Sequence, residues 1–255
     1  DVQKRTYKKC ISKILNIIEK SLCKTISLLI VTSEYFYDKF YKKIVPQNRV
    51  VFMPNTPDPS IFEGFNRKPC RKFTVGFIGA VRYAEQLEML INASAEANIN
   101  VLIAGGGKDY QRIKDYAKKF KDVEVYGEYV YEEEIRELYE RVDCIYSVYD
   151  TKLKNVQIAL PNRLYEAALT ATPIIASKDT YLGQLVDEYG LGKTVSPNSK
   201  SELVEVILQL KEESNHLNNI EDRAKSFAKK WDLKKFNRRL LNAIENILEE
   251  DINAI

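Results

Sequence analysis

The chain has 255 residues, 45% hydrophobic and 29% charged, which supplies a core for one large domain or a domain plus part of another and excludes a disordered composition. Its 39 basic and 36 acidic side chains leave a net charge of +3, so no global field argues for nucleic acid as a partner. Four cysteines, Cys10, Cys23, Cys70 and Cys144, form no Cys-x-x-Cys pair, and the one histidine, His216, lies in a polar run. Histidine triads and Cys/His metal sites are thereby excluded, and a reducing, cytosolic compartment is expected.

Apolar Cys10, Ile11, Ile14, Leu15, Ile17, Ile18 and Leu22 recur at helical spacing among Lys8, Lys9, Lys13, Lys20 and Lys24, predicting a basic amphipathic helix over 4–24. Such a helix packs its apolar face on a core, or lies on an anionic membrane surface. No apolar run approaches the roughly 20 residues needed to cross a bilayer. The chain starts at Asp1 without a signal-peptide pattern, which suggests a fragment of a longer polypeptide. A strand over 27–31, a helix over 33–43 with Ser33 as its N-cap, and a strand over 50–53 complete an αβαβ run.

Between residues 54 and 69 stand Pro54, Pro57, Pro59 and Pro69 with Asn55, Asp58 and Gly64, which predicts a turn-rich linker and a domain boundary. Beyond it, strands over 73–78, 101–104, 123–126, 144–147, 174–177 and 193–195 alternate with helices over 85–97, 110–120, 132–141, 162–171 and 182–189. Helices over 201–213, 222–230 and from 233 to about 249 close the chain. This alternation implies a Rossmann-like parallel sheet with helices on both faces, whose ligands bind at the carboxyl ends of the strands.

Three post-strand loops are candidates. Gly76-Phe77-Ile78-Gly79-Ala80-Val81-Arg82 puts glycines and then a guanidinium at a strand-to-helix turn, where a phosphate could approach Gly79 and pair with Arg82, although a glycine there also suits a plain turn. Ala104-Gly105-Gly106-Gly107-Lys108-Asp109-Tyr110 lacks both the dinucleotide fingerprint and the P-loop pattern, and suits either a close ligand or a turn. In Leu160-Pro161-Asn162-Arg163-Leu164-Tyr165-Glu166, Pro161 and Asn162 start a helix whose first turn carries Arg163, where free N–H groups favour an anion. Glu166, one turn on, suits sugar hydroxyls; an ordinary Arg163–Glu166 surface pair is the alternative.

The succession of Gly-x-x-Gly-x-x-Arg, Ala-Gly-Gly-Gly, Val-Glu-Val-Tyr-Gly-Glu-Tyr, Leu-Pro-Asn-Arg-Leu-Tyr-Glu-Ala and Thr-Pro-Ile-Ile-Ala-Ser resembles the C-terminal domain of group 1 retaining glycosyltransferases of GT-B fold. The resemblance covers roughly 70–215. It implies a remnant of an N-terminal, acceptor-side Rossmann-like domain over 1–54, an interdomain linker over 55–69, a donor-binding domain over 70–215 and C-terminal helices over 216–255.

It further implies a nucleoside-diphosphate-sugar donor, a UDP-sugar first, with no cofactor and no obligatory metal. Gly79 and Arg82 would meet the diphosphate, Glu166 the ribose, the backbone of Tyr129 and Val130 the base, and Asn162, Arg163 and Leu164 the pyrophosphate, with Gly105 and Gly106 facing the same crevice. The acceptor would be a glycan or lipid-linked sugar in polysaccharide or glycoconjugate assembly, and the place of work the cytoplasm, with the inner face of the membrane as a peripheral site. No catalytic residue is assigned, because acceptor-side groups would belong to a missing N-terminal domain.

Two positions depart from the family pattern. Ile158 stands where a first glutamate is usual and Leu87 where a lysine is usual, so Arg163 is expected to supply the second cation. A sugar-nucleotide epimerase or phosphorylase of the same fold and a non-catalytic nucleotide-sugar-binding module are the rival readings.

Overall fold

The computed structural model describes residues 2–67, 72–213 and 218–253, so His216 and Cys70 lie outside the described residues. The chain forms two units, one of Asn55–Asp232 and one of Asp1–Pro54 with Leu233–Ile255.

The smaller unit begins with α1 (Val2–Leu22), β1 (Leu29–Val31), α2 (Glu34–Phe40) and β2 (Val50–Phe52). Ser33 Oγ accepts the Phe36 N–H at 3.1 Å, satisfying one orphan donor of α2. Tyr37 is buried and donates to the Val45 carbonyl at 2.9 Å, tying the end of α2 to the return loop. β1 and β2 pair in parallel, Leu29 with Val50 and Val31 with Phe52.

The larger unit is built on β3 (Thr74–Ile78), α3 (Ala84–Ala97), β4 (Asn100–Ala104), α4 (Tyr110–Ala117), β5 (Val123–Gly127), α5 (Tyr131–Glu140) and β6 (Cys144–Ser147). It continues with α6 (Lys154–Ile158), α7 (Asn162–Leu169), β7 (Ile174–Ser177), α8 (Tyr181–Tyr189), β8 (Gly192–Val195), α9 (Lys200–Glu213) and α10 (Asn218–Lys230). The six strands are all parallel, in the order β5-β4-β3-β6-β7-β8. β3, β6 and β7 are buried at every position, as expected of central strands covered on both faces.

One core layer joins Leu87, Leu90 and Ile91 of α3 to Leu203 and Ile207 of α9. The other joins Ile135 and Leu138 of α5 to Leu164 of α7 and Leu185 of α8. This is the expected Rossmann-like arrangement. Strand order reverses between β3 and β6, which opens a crevice at their carboxyl ends.

The two units are drawn differently from the expected segments. Residues 55–67 are not a free linker: Phe62 is buried with its ring 5.8 Å from Tyr139, and Arg67 donates to the Thr170 and Ala171 carbonyls at 3.2 and 3.1 Å. α10 packs on α7 and α8, where Phe227 lies 6.2 Å from Tyr165 and 5.7 Å from Trp231, while α11 (Leu233–Asn253) contacts β2 in the smaller unit. The reason is apolar matching: Ala224 and Phe227 of α10 complete the core beside α7.

Candidate functional site

The crevice between β3 and β6 is floored by Arg163. Pro161, extended at φ −75° and ψ 153°, starts α7 so that Arg163 falls in its first turn and points back under the β3 loop. Its guanidinium lies 4.3 Å from the centroid of Phe77 on β3, and Nη1 donates to the Tyr146 carbonyl of β6 at 3.4 Å. Arg163 is 7% exposed, and among the described residues no carboxylate lies within ion-pair distance of it. The guanidinium thus rests against two aromatic rings, Phe77 and, at 5.6 Å, Tyr149, with one long carbonyl contact, and keeps N–H donors for an anion in the crevice.

Gly79 roofs this guanidinium. Its φ is 138°, and a Cβ there would collide with Arg163 Nη2, so the glycine serves both the turn and the close approach. Arg82 is exposed on the same loop and, with Arg163, Tyr83, Tyr149 and Thr180, lines a cavity of about 190 Å³ at the crevice. The Tyr83 and Tyr149 rings meet edge to face at 5.0 Å.

Glu166, 3% exposed, is not part of a surface pair with Arg163. Its Oε1 accepts the Tyr131 hydroxyl and its Oε2 the Tyr139 hydroxyl, both at 2.8 Å. Burial pushes its carboxyl above the usual glutamate range, against the two phenols and Arg163, which pull it down. The Tyr129 phenol is pushed up to about 12 by burial and by the Glu166 charge.

Other expected positions have structural duties that their side chains or amides already discharge. Gly105 and Gly106 face the β3 loop: Gly105 N–H donates to Gly127 at 2.5 Å, Val81 N–H donates to Gly106 at 2.8 Å, and a Cβ on Gly105 would strike the Gly79 carbonyl. Val130 N–H is held by Glu134 Oε2 at 2.6 Å and its carbonyl by the Glu133 and Glu134 amides, a reciprocal cap of α5. The Leu164 side chain is core, and its N–H donates to Pro161 at 3.1 Å. Asn162 is exposed at the start of α7, and Tyr129 is half-buried. The two departures, Leu87 and Ile158, are both buried, Leu87 in the core layer between α3 and α9.

Tyr131, Tyr139, Tyr83, Tyr149 and Thr180 were not singled out from the sequence. Tyr131 and Tyr139 are eight residues apart on α5, about two turns, and that shared helix face was the available signal. A larger cavity of about 650 Å³ lies at the amino ends of the strands beside Arg67 and Asp143, away from all of these residues.

Residues 61–227, well over half the chain, match the family model of glycosyl transferases group 1. The chain belongs to this family. None of the curated proteins compared with this glycosyltransferase chain matches it. Among solved structures it is similar to HepE of Anabaena in complex with UDP and glucose, with a TM-score of 0.72 and 16% identity over 91% of this chain and 66% of HepE. It is similar to sucrose-phosphate synthase of Thermosynechococcus elongatus, with a TM-score of 0.69 and 16% identity over 93% of this chain and 62% of that one. It is also similar to WaaG, a glycosyltransferase of lipopolysaccharide biosynthesis, at a TM-score of 0.62 and 16% identity, covering 83% of this chain and 61% of WaaG. At such identities the likeness carries the GT-B fold, and the chain spans about two thirds of the length of these proteins.

Proposed function

We propose that this glycosyltransferase chain binds a nucleoside-diphosphate sugar, a UDP-sugar first, and passes the sugar with retention to an acceptor hydroxyl of a glycan or lipid-linked sugar. The observation that carries the reading is the buried guanidinium of Arg163, without an ion-pair partner among the described residues, beneath Gly79, at the start of a helix and at the strand-order reversal. The diphosphate lies between Arg163 and the exposed Arg82, and the ribose reaches Glu166. The HepE structures with UDP and with UDP-glucose support the choice of donor.

As the sugar leaves, negative charge grows on the diphosphate, and the two guanidiniums supply opposite charge for it, Arg163 from a buried position and Arg82 from an exposed one. No metal is needed for this role. The part of the reaction that these residues carry is donor binding. Calorimetry against UDP, GDP and ADP tests this. Binding selective for UDP is expected; absence of binding by all three contradicts it.

The exposed Ile14, Leu15, Ile17 and Leu22 of α1, interleaved with lysines, favour peripheral contact with an anionic membrane surface. Among the described residues no helix is long and apolar enough to cross a membrane. Sedimentation with vesicles containing anionic lipid, but not with neutral ones, is expected; equal recovery with both contradicts the contact.

A further inference from the structure

Glu166 is gripped by two phenols at equal distance, but the fold treats them unequally. Tyr139 is completely buried, its ring wedged edge-on against Phe62 in the core between α5 and the sheet, so its hydroxyl has one place to be. Tyr131 is the first residue of α5, half-buried, and packed at the margin of the same cluster. With both hydroxyls in place Glu166 is 3% exposed, so a second hydroxyl donor reaches Oε1 by taking the place of Tyr131. Displacing it costs little, because the exchange trades one hydroxyl donor for another and returns the phenol to water.

Building on the donor-site reading above, we propose that Tyr139 is the positioning residue of Glu166, fixing the carboxylate through Oε2. Tyr131 is a displaceable donor that occupies, in the empty site, the place a ribose hydroxyl takes on Oε1. Nucleotide binding is then an exchange at Oε1 around an oxygen that Tyr139 never releases. The two tyrosines therefore act on ribose recognition with opposite signs. Removing the Tyr131 hydroxyl leaves Oε1 waiting for the ribose and strengthens the preference for it. Removing the Tyr139 hydroxyl frees the carboxylate to turn and weakens that preference.

The test is calorimetry of the full chain with UDP and with 2′,3′-dideoxy-UDP, read as the ratio of the two dissociation constants. The wild-type ratio is expected to be about tenfold, the worth of one hydrogen bond to a charged group. Tyr131→Phe should raise the ratio, and Tyr139→Phe should bring it close to unity. In a Glu166→Gln background Tyr131→Phe should leave the ratio unchanged, which a purely structural role would not produce. A fall in the ratio for Tyr131→Phe, or equal shifts in both variants, overturns the proposal. If Tyr139→Phe does not fold, the direction of change in Tyr131→Phe decides alone. A wild-type ratio near unity with UDP still bound through Arg163 overturns this inference while leaving the diphosphate reading standing. Failure of UDP, GDP and ADP alike to bind the wild type removes both.

Discussion

At Gly79 two demands coincide: a φ of 138°, which L side chains rarely adopt, and the Arg163 guanidinium occupying the space a Cβ would need. Gly79→Ala therefore meets both backbone strain and a collision with a charged group that cannot be moved out of the crevice without losing its function. A loss of about 1–3 kcal/mol in unfolding free energy is expected, together with loss of nucleotide binding, measurable by urea titration and calorimetry on the same sample.

Glu166 makes a second residue-scale case. Its folded pKa is raised by burial, so the folded state holds the proton more tightly than the unfolded chain, and ionisation of this residue lowers stability as pH rises above the ordinary glutamate range. The neighbouring charge of Arg163 and the hydroxyls of Tyr131 and Tyr139 moderate this without reversing it. Glu166→Gln gives one phenol an amide N–H2 in place of an acceptor oxygen at every pH, so the expected signature is relative: its stability compared with wild type should rise between pH 4 and pH 7. Thermal midpoints at the two pH values check this; a larger gain at the acidic pH would contradict the sign.

At the scale of elements, β3, β6 and β7 were legible because central parallel strands are near-continuous apolar runs, and the helices flanking them because each buries one face. α6 was not legible: five residues, Lys154–Ile158, are too few to show a period. Arg163 and Glu166 were legible as candidates from their place on α7. Their burial was not, because it depends on Phe77, Tyr139 and Gly79, which are distant in sequence and reach the site through the sheet.

The glycines at 105 and 106 look alike in a ligand loop and in a loop packed on another loop, and their contacts with the β3 loop depend on residues distant in sequence. α10 illustrates the same limit. Its sequence reads as a polar terminal helix, yet Phe227 stacks with Trp231 and meets Tyr165 of α7, the helix that carries Arg163. Phe227→Ala should cost about 3–5 kcal/mol and lower the unfolding midpoint of the larger unit, followed by denaturant titration. A change under 1 kcal/mol would show that α10 is not integral to that unit.

For the whole molecule, the larger unit has a closed logic: six parallel strands, helices on both faces, and a crevice at the one place where strand order reverses. The smaller unit has two parallel strands, β1 and β2, with Ile30 half-exposed, and an α1 whose apolar side chains face outward. Two strands make a marginal sheet on their own, and the proposed donor crevice lies wholly within the larger unit.

The proposed contact for the donor diphosphate is the buried Arg163. Calorimetric titration of UDP into wild type and Arg163→Met, a neutral side chain of similar reach, tests it most directly. A charge-assisted contact of about 1.5–3 kcal/mol predicts affinity at least tenfold weaker in the variant, with the unfolding transition still cooperative. Unchanged affinity in Arg163→Met, with Arg82→Ala alone abolishing binding, would contradict it.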